Sequence, residues 1–566
     1  MPTSTEAISM EEVPKSTSCQ SSKTDVTSIQ NTKVLIKDEE ATIGEDTPET
    51  NKKTGSTGLE IACITIALCL SVFCMALDNT IISTAIPQIT DDFHSLGDVG
   101  WYGSAYLLTQ SAFQLPAGKL YSEASVKRIY LVFMAIFEIG SVVCGAAPNS
   151  VALIVGRAIA GLGASGIFSG AMLILSKAVP LEKRPAYMGL IGGVYGLSSV
   201  AGPLMGGAFT DKVTWRLCFY INLPFGLISV VFIAIFYRED ASPLYPTWPA
   251  LNDIRGLLER LDVLGTVILV PTIICLLLAV QWGGHQYAWS DGRIIALFVL
   301  FGLLLCAFLA IQLWKGSKAM VPPRVIAQRS MVAGVWFVFC LGAAFVLFTY
   351  YLPIWFQAVK DTSAVRSGIN VLPMILSLVI CTMISGLLVT RFGYYTHFFI
   401  LSSICLALGS GLLTQLEPGT SASTWIGFEI LLGAGVGFGV QQMLVAAQVV
   451  LAANDVATGT ALVMFAQTLG GTLFLAVAQS VFQRKLLQGL EQKAPQVDAA
   501  ALVASGATAY QGTVPTEYLS SVHDAYNEAL TETFVAGVVI AAMSILGALG
   551  MEWKNVHTAK KSQVAA

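Results

Sequence analysis

The chain has 566 residues, 54% of them hydrophobic and only 12% charged, with a net charge of -4 and a positive mean hydropathy. That profile excludes an ordinary soluble globular protein, and mild acidity without a basic, aromatic-interleaved stripe excludes a nucleic-acid partner. The solvent for most of this chain is a lipid bilayer.

Residues 1–57 are rich in Ser, Thr, Glu and Lys and contain no apolar run. They are expected to form a disordered cytosolic tail without the pattern of a signal peptide. Apolar stretches long enough to cross the hydrocarbon core follow at 60–82, 101–121, 129–147, 151–175, 186–208, 218–237, 264–282, 292–313, 332–356, 368–390, 397–415, 424–447, 460–482 and 533–551, fourteen in all. An even count puts both termini on one side. Lys and Arg concentrate on that side, at Lys127, Arg128, Lys177, Lys183, Arg184, Arg238, Arg255, Arg260, Lys315, Lys318, Arg324, Arg329 and Arg391, so both tails are expected to be cytosolic.

The segment 483–532 reads as the one long outer loop, with an amphipathic start at "RKLLQGLEQK". Residues 554–566 form a short cytosolic tail. Trp101, Tyr102 and Tyr350 are expected at the membrane interface, where aromatic rings with a polar tip settle. All cysteines except Cys19 lie in or beside apolar segments without paired spacing and read as reduced thiols. His94, His285, His397, His523 and His557 are scattered, so no metal site and no cofactor is expected.

The chain repeats itself. "RAIAGLGASG" places Arg157 four residues before Gly161 and six before Gly163, and "EILLGAGVGFG" places Glu429 in the same relation to Gly433 and Gly435. The second span ends from Gly118 much as the tenth ends from Gly386. Span 2 thus pairs with span 10 and span 4 with span 12, an offset of eight that six spans, a two-span insert and six more spans would produce. The expected architecture is an all-α polytopic membrane protein: an N-terminal half at 58–240, a linker with two inserted spans at 241–330, and a C-terminal half at 331–553.

Ionisable groups inside spans cost about 2.5 to 3.5 kcal/mol on insertion scales, so each needs a reason. Four stand out: Asp78, Glu138, Arg157 and Glu429. Asp78 reads either as a half-wetted helix-end carboxylate or as one that takes a proton from outside and releases it inside. Arg157 cannot lose its proton. It is either a structural partner or a fixed charge that holds a carboxylate ionised until protonation breaks the pair. Glu138 and Glu429 belong to the same candidate set, with a place near an interface as the alternative.

The stretch "GLIGGVYGLSSVAGPLMGG" brings Gly189, Gly193, Ser198, Gly202 and Gly206 onto one nearly side-chain-free face, with Pro203 expected to bend the helix. In this stretch Gly189, Ser198, Gly202, Pro203, Gly206 and Gly207 resemble the fifth-span antiporter motif of drug-efflux members of the major facilitator superfamily, with Ser198 where Gly is usual. "LDNTIISTAIPQI", "WYGSAYLL", "LIVGRAIAGLGASG", "WRLCFYINLPFG", "VQWGG" and "YYLPIWFQAV" resemble further motifs of that superfamily, in the right order. From about residue 60 to 555 the chain is similar to a fourteen-span drug:proton antiporter of the fungal toxin-efflux and multidrug type.

This resemblance implies the major facilitator fold, two six-helix halves plus a two-helix insert, with the substrate site between the halves. It assigns proton coupling to Asp78 and Arg157 and a cytosolic gate to Gly118, Lys127, Arg128, Gly386, Arg391 and Gly393. The gate motif is degraded, because Ser122, Glu123 and Ser125 replace its acid, base and glycine. A latch centred on an acid cannot form through Ser122. An amphipathic cavity is expected to use Tyr106, Gln110, Gln114, Tyr195, Tyr351, Trp355, Phe356, Gln441 and Gln467.

The function implied is export, across the plasma membrane, of a small apolar compound such as a secondary metabolite, mycotoxin or drug, by a monomer and without enzymatic activity. The partners are that substrate, protons and the lipid bilayer. Uptake of the siderophore-importer kind, or loading of a vacuole, is the alternative. No G-x4-G-K-[ST] phosphate loop occurs, so ATP is not the expected driver. A proton falling through about 100 mV releases about 2.3 kcal/mol, enough for a roughly fiftyfold solute gradient.

Overall fold

The computed structural model describes residues 58–95, 98–239, 261–284, 287–496, 515 and 517–558. The N-terminal tail, Arg255, Arg260, His285 and the middle of the 483–532 loop lie outside the described residues. Within them the chain is almost wholly helical. Fourteen rods follow one another: α1 (Gly58–Phe93), α2 (Val99–Glu123), α3 (Val126–Gly145), α4 (Ser150–Ala178), α5 (Arg184–Lys212), α6 (Leu217–Phe236), α7 (Val263–Trp282), α8 (Gly292–Lys315), α9 (Arg329–Ala358), α10 (Leu372–Phe392), α11 (Thr396–Leu413), α12 (Ala422–Val450), α13 (Val456–Lys493) and α14 (Leu519–Gly550).

Among the described residues thirteen helices are long and apolar enough to cross a membrane. The rod left out is α2, which has the length, 25 residues, but spends it on Tyr102, Tyr106, Thr109, Gln110, Gln114 and Lys119. Polar content is tolerable there because α2 packs against α4, α13 and α7 rather than against lipid alone. The lipid-facing surface lies elsewhere, as in α8, where Leu303, Leu309 and Leu313 are exposed.

Helix starts are fixed locally. Asn149 accepts from the Ala152 N–H at 2.9 Å to open α4, and Asp291 accepts from the Arg293 N–H at 2.8 Å to open α8. Two rods are interrupted: α6 between Tyr220 and Asn222, and α12 between Gly439 and Gln442. α1 runs on to Phe93, well past residue 82, so Asp78 sits inside the helix and not at its end. α13 and α14 likewise run into the 483–532 segment and are tied there by Lys493–Glu528 at 2.7 Å and Lys485–Glu532 at 3.8 Å.

The internal repeat reappears as packing. A Cβ on Gly161 would overlap the Tyr106 carbonyl of α2, and one on Gly433 would overlap the Met374 carbonyl of α10. Gly163 abuts the Phe137 backbone of α3, and Gly435 the Leu406 backbone of α11. Glycines at matching positions therefore let α4 and α12 approach matching neighbours, which no larger residue would permit. The first six rods and the last six form two halves, joined through α5 against α10 and α2 against α13, a pairing that exchanges under the same offset of eight. α7 and α8 pack on each other, and α7 leans on α2 and α13.

The insert is fastened by a residue that the span count did not single out. Asp262, fully buried at the start of α7, accepts from the Gly265 N–H (3.0 Å), the Gln312 amide (2.9 Å), Lys315 Nζ (2.7 Å) and the Met320 N–H (2.9 Å). Burial would push its carboxyl up, but Lys315, Gln312 and the two backbone donors hold it below the usual Asp range.

Candidate functional site

The side of the bundle from which α1 starts and at which α14 ends is the tail side below. α4, the rod most enclosed by others, carries Arg157 into the N-terminal half. Arg157 and Asp78 of α1 are both wholly buried and meet at 2.6 Å, Nη1 to Oδ2. Arg157 Nε donates to the Tyr102 carbonyl at 2.9 Å, and its guanidinium lies 4.4 Å from the centre of the Tyr106 ring. The second Asp78 oxygen accepts from Asn222 Nδ2 at 3.2 Å, and the same amide nitrogen donates to Ser141 Oγ at 3.1 Å. A buried pair of this kind is balanced only while both partners stay charged; removal of one strands the other, at a cost of about 3 to 5 kcal/mol. Arg157 Nη2 already lacks a hydrogen-bond partner.

Glu138 lies on α3 one turn from Ser141, its carboxyl pressed against Gly226 of α6, and neither oxygen finds a hydrogen bond. Glu429 is in the other half. It is fully buried in α12 with its carboxyl beside the Met374 backbone, in the first turn of α10, and neither oxygen finds a hydrogen-bond partner. The structure thus brings Asp78, Arg157 and Tyr106 together, sets Glu138 nearby, and keeps Glu429 apart. Tyr102, expected at the membrane interface, is instead fully buried, its hydroxyl bonded to Ser95 (2.6 Å) and Ser150 (2.9 Å). Its carbonyl is needed by Arg157, which requires that part of α2 to face α4.

α5 changes neighbours along its length. At its tail-side end Gly189 and Gly193 face Thr382 and Val379 of α10; farther on Gly202 and Gly206 face Thr80, Ile81 and Thr84 of α1. Gly207 has open space where a Cβ would stand. Ser198 is fully buried and turns its hydroxyl back onto the Val194 carbonyl at 2.7 Å, so it fills the glycine position without reaching across the contact. The helix continues through Pro203.

Contacts between the halves gather on the tail side. A side chain at Gly118 would overlap Ala461 of α13, and one at Gly386 would overlap the Pro185 carbonyl of α5. The Ala186 N–H donates to Thr390 Oγ1 (3.2 Å) and Arg184 to Gln448 (3.3 Å). The other residues expected in the gate make no hydrogen bond or close contact between the halves among the described residues. Lys127 donates to the carbonyls of Ala234 (2.8 Å) and Tyr237 (2.6 Å) within its own half; Arg128 and Arg391 are exposed; Gly393, at φ +80, holds the Asn555–His557 segment.

Two acids from elsewhere in the chain lie near the degraded gate motif. Glu239, just beyond α6, accepts from the Ser125 hydroxyl, the Val126 N–H (3.0 Å) and Lys177 Nζ (3.0 Å). Burial raises its carboxyl, but the Ser125 hydroxyl, Lys177 and Val126 together hold it below the usual Glu range. Asp455, at the start of α13, is gripped through both oxygens by Arg324 (2.9 and 2.7 Å). Arg324, Asp455, Lys119, Ser122 and Glu123 line a tail-side cavity of about 180 Å³. No local signal near Ser122 pointed to either acid, since each arrives from more than a hundred residues away.

The residues expected around a central cavity divide. Gln441 reaches across to Gly192 of α5, and Gln467 lies against Gly342 of α9. Tyr195 meets Phe168 edge-on at 5.9 Å and is partly buried; Gln110 is also partly buried. Gln114 donates to Ser169 (2.8 Å) inside the N-terminal half. Trp355 donates to Asn527 (2.8 Å), Phe356 stacks edge-on with Trp425 at 4.8 Å, and Tyr351 meets Phe482 at 5.6 Å. These last three rings, buried to 2% exposure or less, are occupied in packing α9 within the C-terminal half rather than facing the gap between halves.

Comparison with known proteins agrees with this geometry. The family model described as Major Facilitator Superfamily matches residues 68–475. The chain is 52% identical over 512 residues to an MFS-type efflux pump of Arthroderma benhamiae, covering 90% of this chain and 94% of that one. It is 51% identical over 501 residues to the efflux pump aflT of Aspergillus parasiticus, covering 88% and 97%. It is 49% identical over 496 residues to the efflux pump roqT of Penicillium rubens, covering 88% and 91%. Among solved structures, the proton:xylose symporter XylE superposes with a TM-score of 0.55 at 11% identity, over 88% of this chain and 99% of that one. A bacterial homologue of the human lysosomal transporter Spinster superposes with a TM-score of 0.54 at 17% identity, over 88% and 99%.

Proposed function

The chain belongs to the major facilitator superfamily and is a transporter rather than an enzyme, and on that premise we propose that it exports small amphipathic compounds, a secondary metabolite, mycotoxin or drug, in exchange for protons. The observation that carries this reading is the sealed Asp78–Arg157 pair. Arg157 keeps its charge under all conditions, so the pair has one variable, the proton on Asp78. A proton arriving from outside neutralises Asp78, releases Arg157 to the Tyr102 carbonyl and the Tyr106 ring alone, and loosens α1 from α4. The cost of stranding a buried charge, about 3 to 5 kcal/mol, is of the order of the roughly 2.3 kcal/mol that one proton brings per 100 mV.

The glycine face of α5 gives this local event its lever, because that helix touches α1 at one end and α10 of the other half at its tail-side end. In this reading the tail side is cytosolic, the membrane is the plasma membrane, the transporter works as a monomer, and the contacts at Gly118 and Gly386 close the cytosolic gate. The names of the similar efflux pumps support export.

The test uses inside-out membrane vesicles with an acidic interior and a mixed panel of amphipathic compounds followed by mass spectrometry. Accumulation that collapses when the pH gradient is dissipated is the expected result. Absence of accumulation there, with uptake into right-side-out vesicles under an acidic exterior, would replace export by import; activity confined to vacuolar vesicles would move the membrane.

A further inference from the structure

Inside the N-terminal half, three helices turn polar groups toward one another along a line that starts at Asp78 and runs toward the tail side. α1 contributes Ser71, Cys74 and Asp78, spaced three and four residues apart; α6 contributes Asn222, Gly226 and Ser229, spaced four and three; α3 contributes Tyr130, Glu138 and Ser141. Those intervals keep each set on one helix face. At the upper end Asn222 bridges Asp78 and Ser141. At the lower end the Tyr130 and Ser71 hydroxyls share a hydrogen bond beside Ser229, which donates to the Ala67 carbonyl at 2.8 Å. All of Ser71, Tyr130, Ser141, Asn222 and Ser229 are buried.

Glu138 occupies the middle of this column. Its carboxyl is packed against Gly226, where a Cβ would collide with it, and both oxygens lack a hydrogen-bond partner. A charge in that position would be paired with nothing, at a cost of several kcal/mol, so the resting carboxyl is neutral. The titratable groups nearest it are Cys74 and Asp78 from α1; Tyr130 lies about two turns away on its own helix, and α6 packs Gly226 against it. A helical side chain leans toward its own N-terminus, and on α3 that direction leads from Glu138 to Tyr130 and the tail side.

We propose that Glu138 is a second proton-binding site and that the column between α1, α3 and α6 carries the proton from Asp78 to the tail side without entering the gap between the two halves. The inference rests on the proton-exchange reading of Asp78. In the relay, neutral Glu138 yields its proton toward the Tyr130 and Ser71 hydroxyls, each of which takes up one proton and passes on another. The resulting carboxylate then accepts the proton held by Asp78, past Asn222 and Ser141. Asp78, ionised again, re-forms its pair with Arg157. One proton moves and every group returns to its starting state. Because this path is inside one half, the substrate and the proton need not share a cavity.

The experiment compares Glu138→Gln, Glu138→Asp and Asp78→Asn in inside-out vesicles, with the panel compound that wild type accumulates most as the probe. Two rates are read: accumulation driven by a pH gradient, and exchange of labelled for unlabelled probe at equal pH, which needs no net proton movement. Glu138→Gln is expected to lower driven accumulation at least tenfold while exchange stays within twofold of wild type, and Glu138→Asp to recover much of the loss. In the purified transporter, infrared difference spectra are expected to lose one protonated-carboxyl band in Glu138→Gln. Driven accumulation within twofold of wild type in Glu138→Gln, with Asp78→Asn inactive, would overturn the column and leave the proton-exchange reading standing. Full activity in Asp78→Asn would overturn that reading itself. Loss of exchange as well as driven accumulation in Glu138→Gln, unrelieved in Glu138→Asp, would mark Glu138 as a packing residue and overturn the relay.

Discussion

Replacing Asp262 by Ala removes the single acceptor on which two ends of the inserted hairpin converge. Four donors point at its two oxygens: one from α7 itself, two from the end of α8, and the Met320 N–H of the segment leading to α9. Lys315 is only 20% exposed and Asp262 not at all, so the ammonium loses its partner in a largely dry place. Breaking a buried pair costs about 3 to 5 kcal/mol, and the partial exposure of Lys315 places this case toward the lower end. At 1.4 kcal/mol per decade, about 3 kcal/mol multiplies local opening roughly a hundredfold.

The assay is hydrogen exchange followed by mass spectrometry, reading peptides that contain Gly265 and Met320 against peptides from α4. In Asp262→Ala, exchange of the first set is expected to accelerate about a hundredfold while α4 is unchanged. Asp262→Asn keeps one acceptor for Gly265 but presents an amide donor to others, and should fall between. Acceleration below about fivefold in the alanine variant would refute the idea that this carboxylate holds the hairpin.

Other outcomes follow from the same geometry. Gly386→Val would drive a side chain into the Pro185 carbonyl; overpacking of about 1 to 3 kcal/mol should favour an opened tail side, raising the thiol-labelling rate of a Gln448→Cys reporter roughly fivefold or more, and an unchanged rate would count against closure there. Arg157→Lys keeps the charge but loses the planar group that serves Asp78 and Tyr102 together; driven accumulation in vesicles should fall at least tenfold, and near-normal accumulation would show that charge alone suffices. The Glu239 carboxyl is held below its ordinary value of 4.5. Its contribution is therefore present above that value and lost as the pH falls through the lowered one, so the melting-temperature gap between wild type and Glu239→Gln should stay constant from neutral to mildly acidic pH and close only in stronger acid. A gap that widened on acidification would reverse the sign and the argument.

The sequence by itself determined the number and order of the rods, the offset-of-eight repeat and the in-span groups Asp78, Glu138, Arg157 and Glu429, but not the buried Lys119 of α2. Apolar length, helical spacing and the presence of a charge where charge is costly are local properties, written within about 25 consecutive residues, and the repeat is legible because two such local patterns match. The identity of the small residues on α5 was also legible, because a face without side chains is a matter of spacing. What those groups touch was not legible. That Asp78 faces Arg157, that Asn222 bridges to Ser141, that Glu239 binds the start of α3, and that Trp355 and Phe356 turn into their own half depend on how helices are rotated against neighbours about 70 to 170 residues away. Rotation is settled by the sum of many weak packing contacts over the whole bundle, and no single stretch of chain contains that sum.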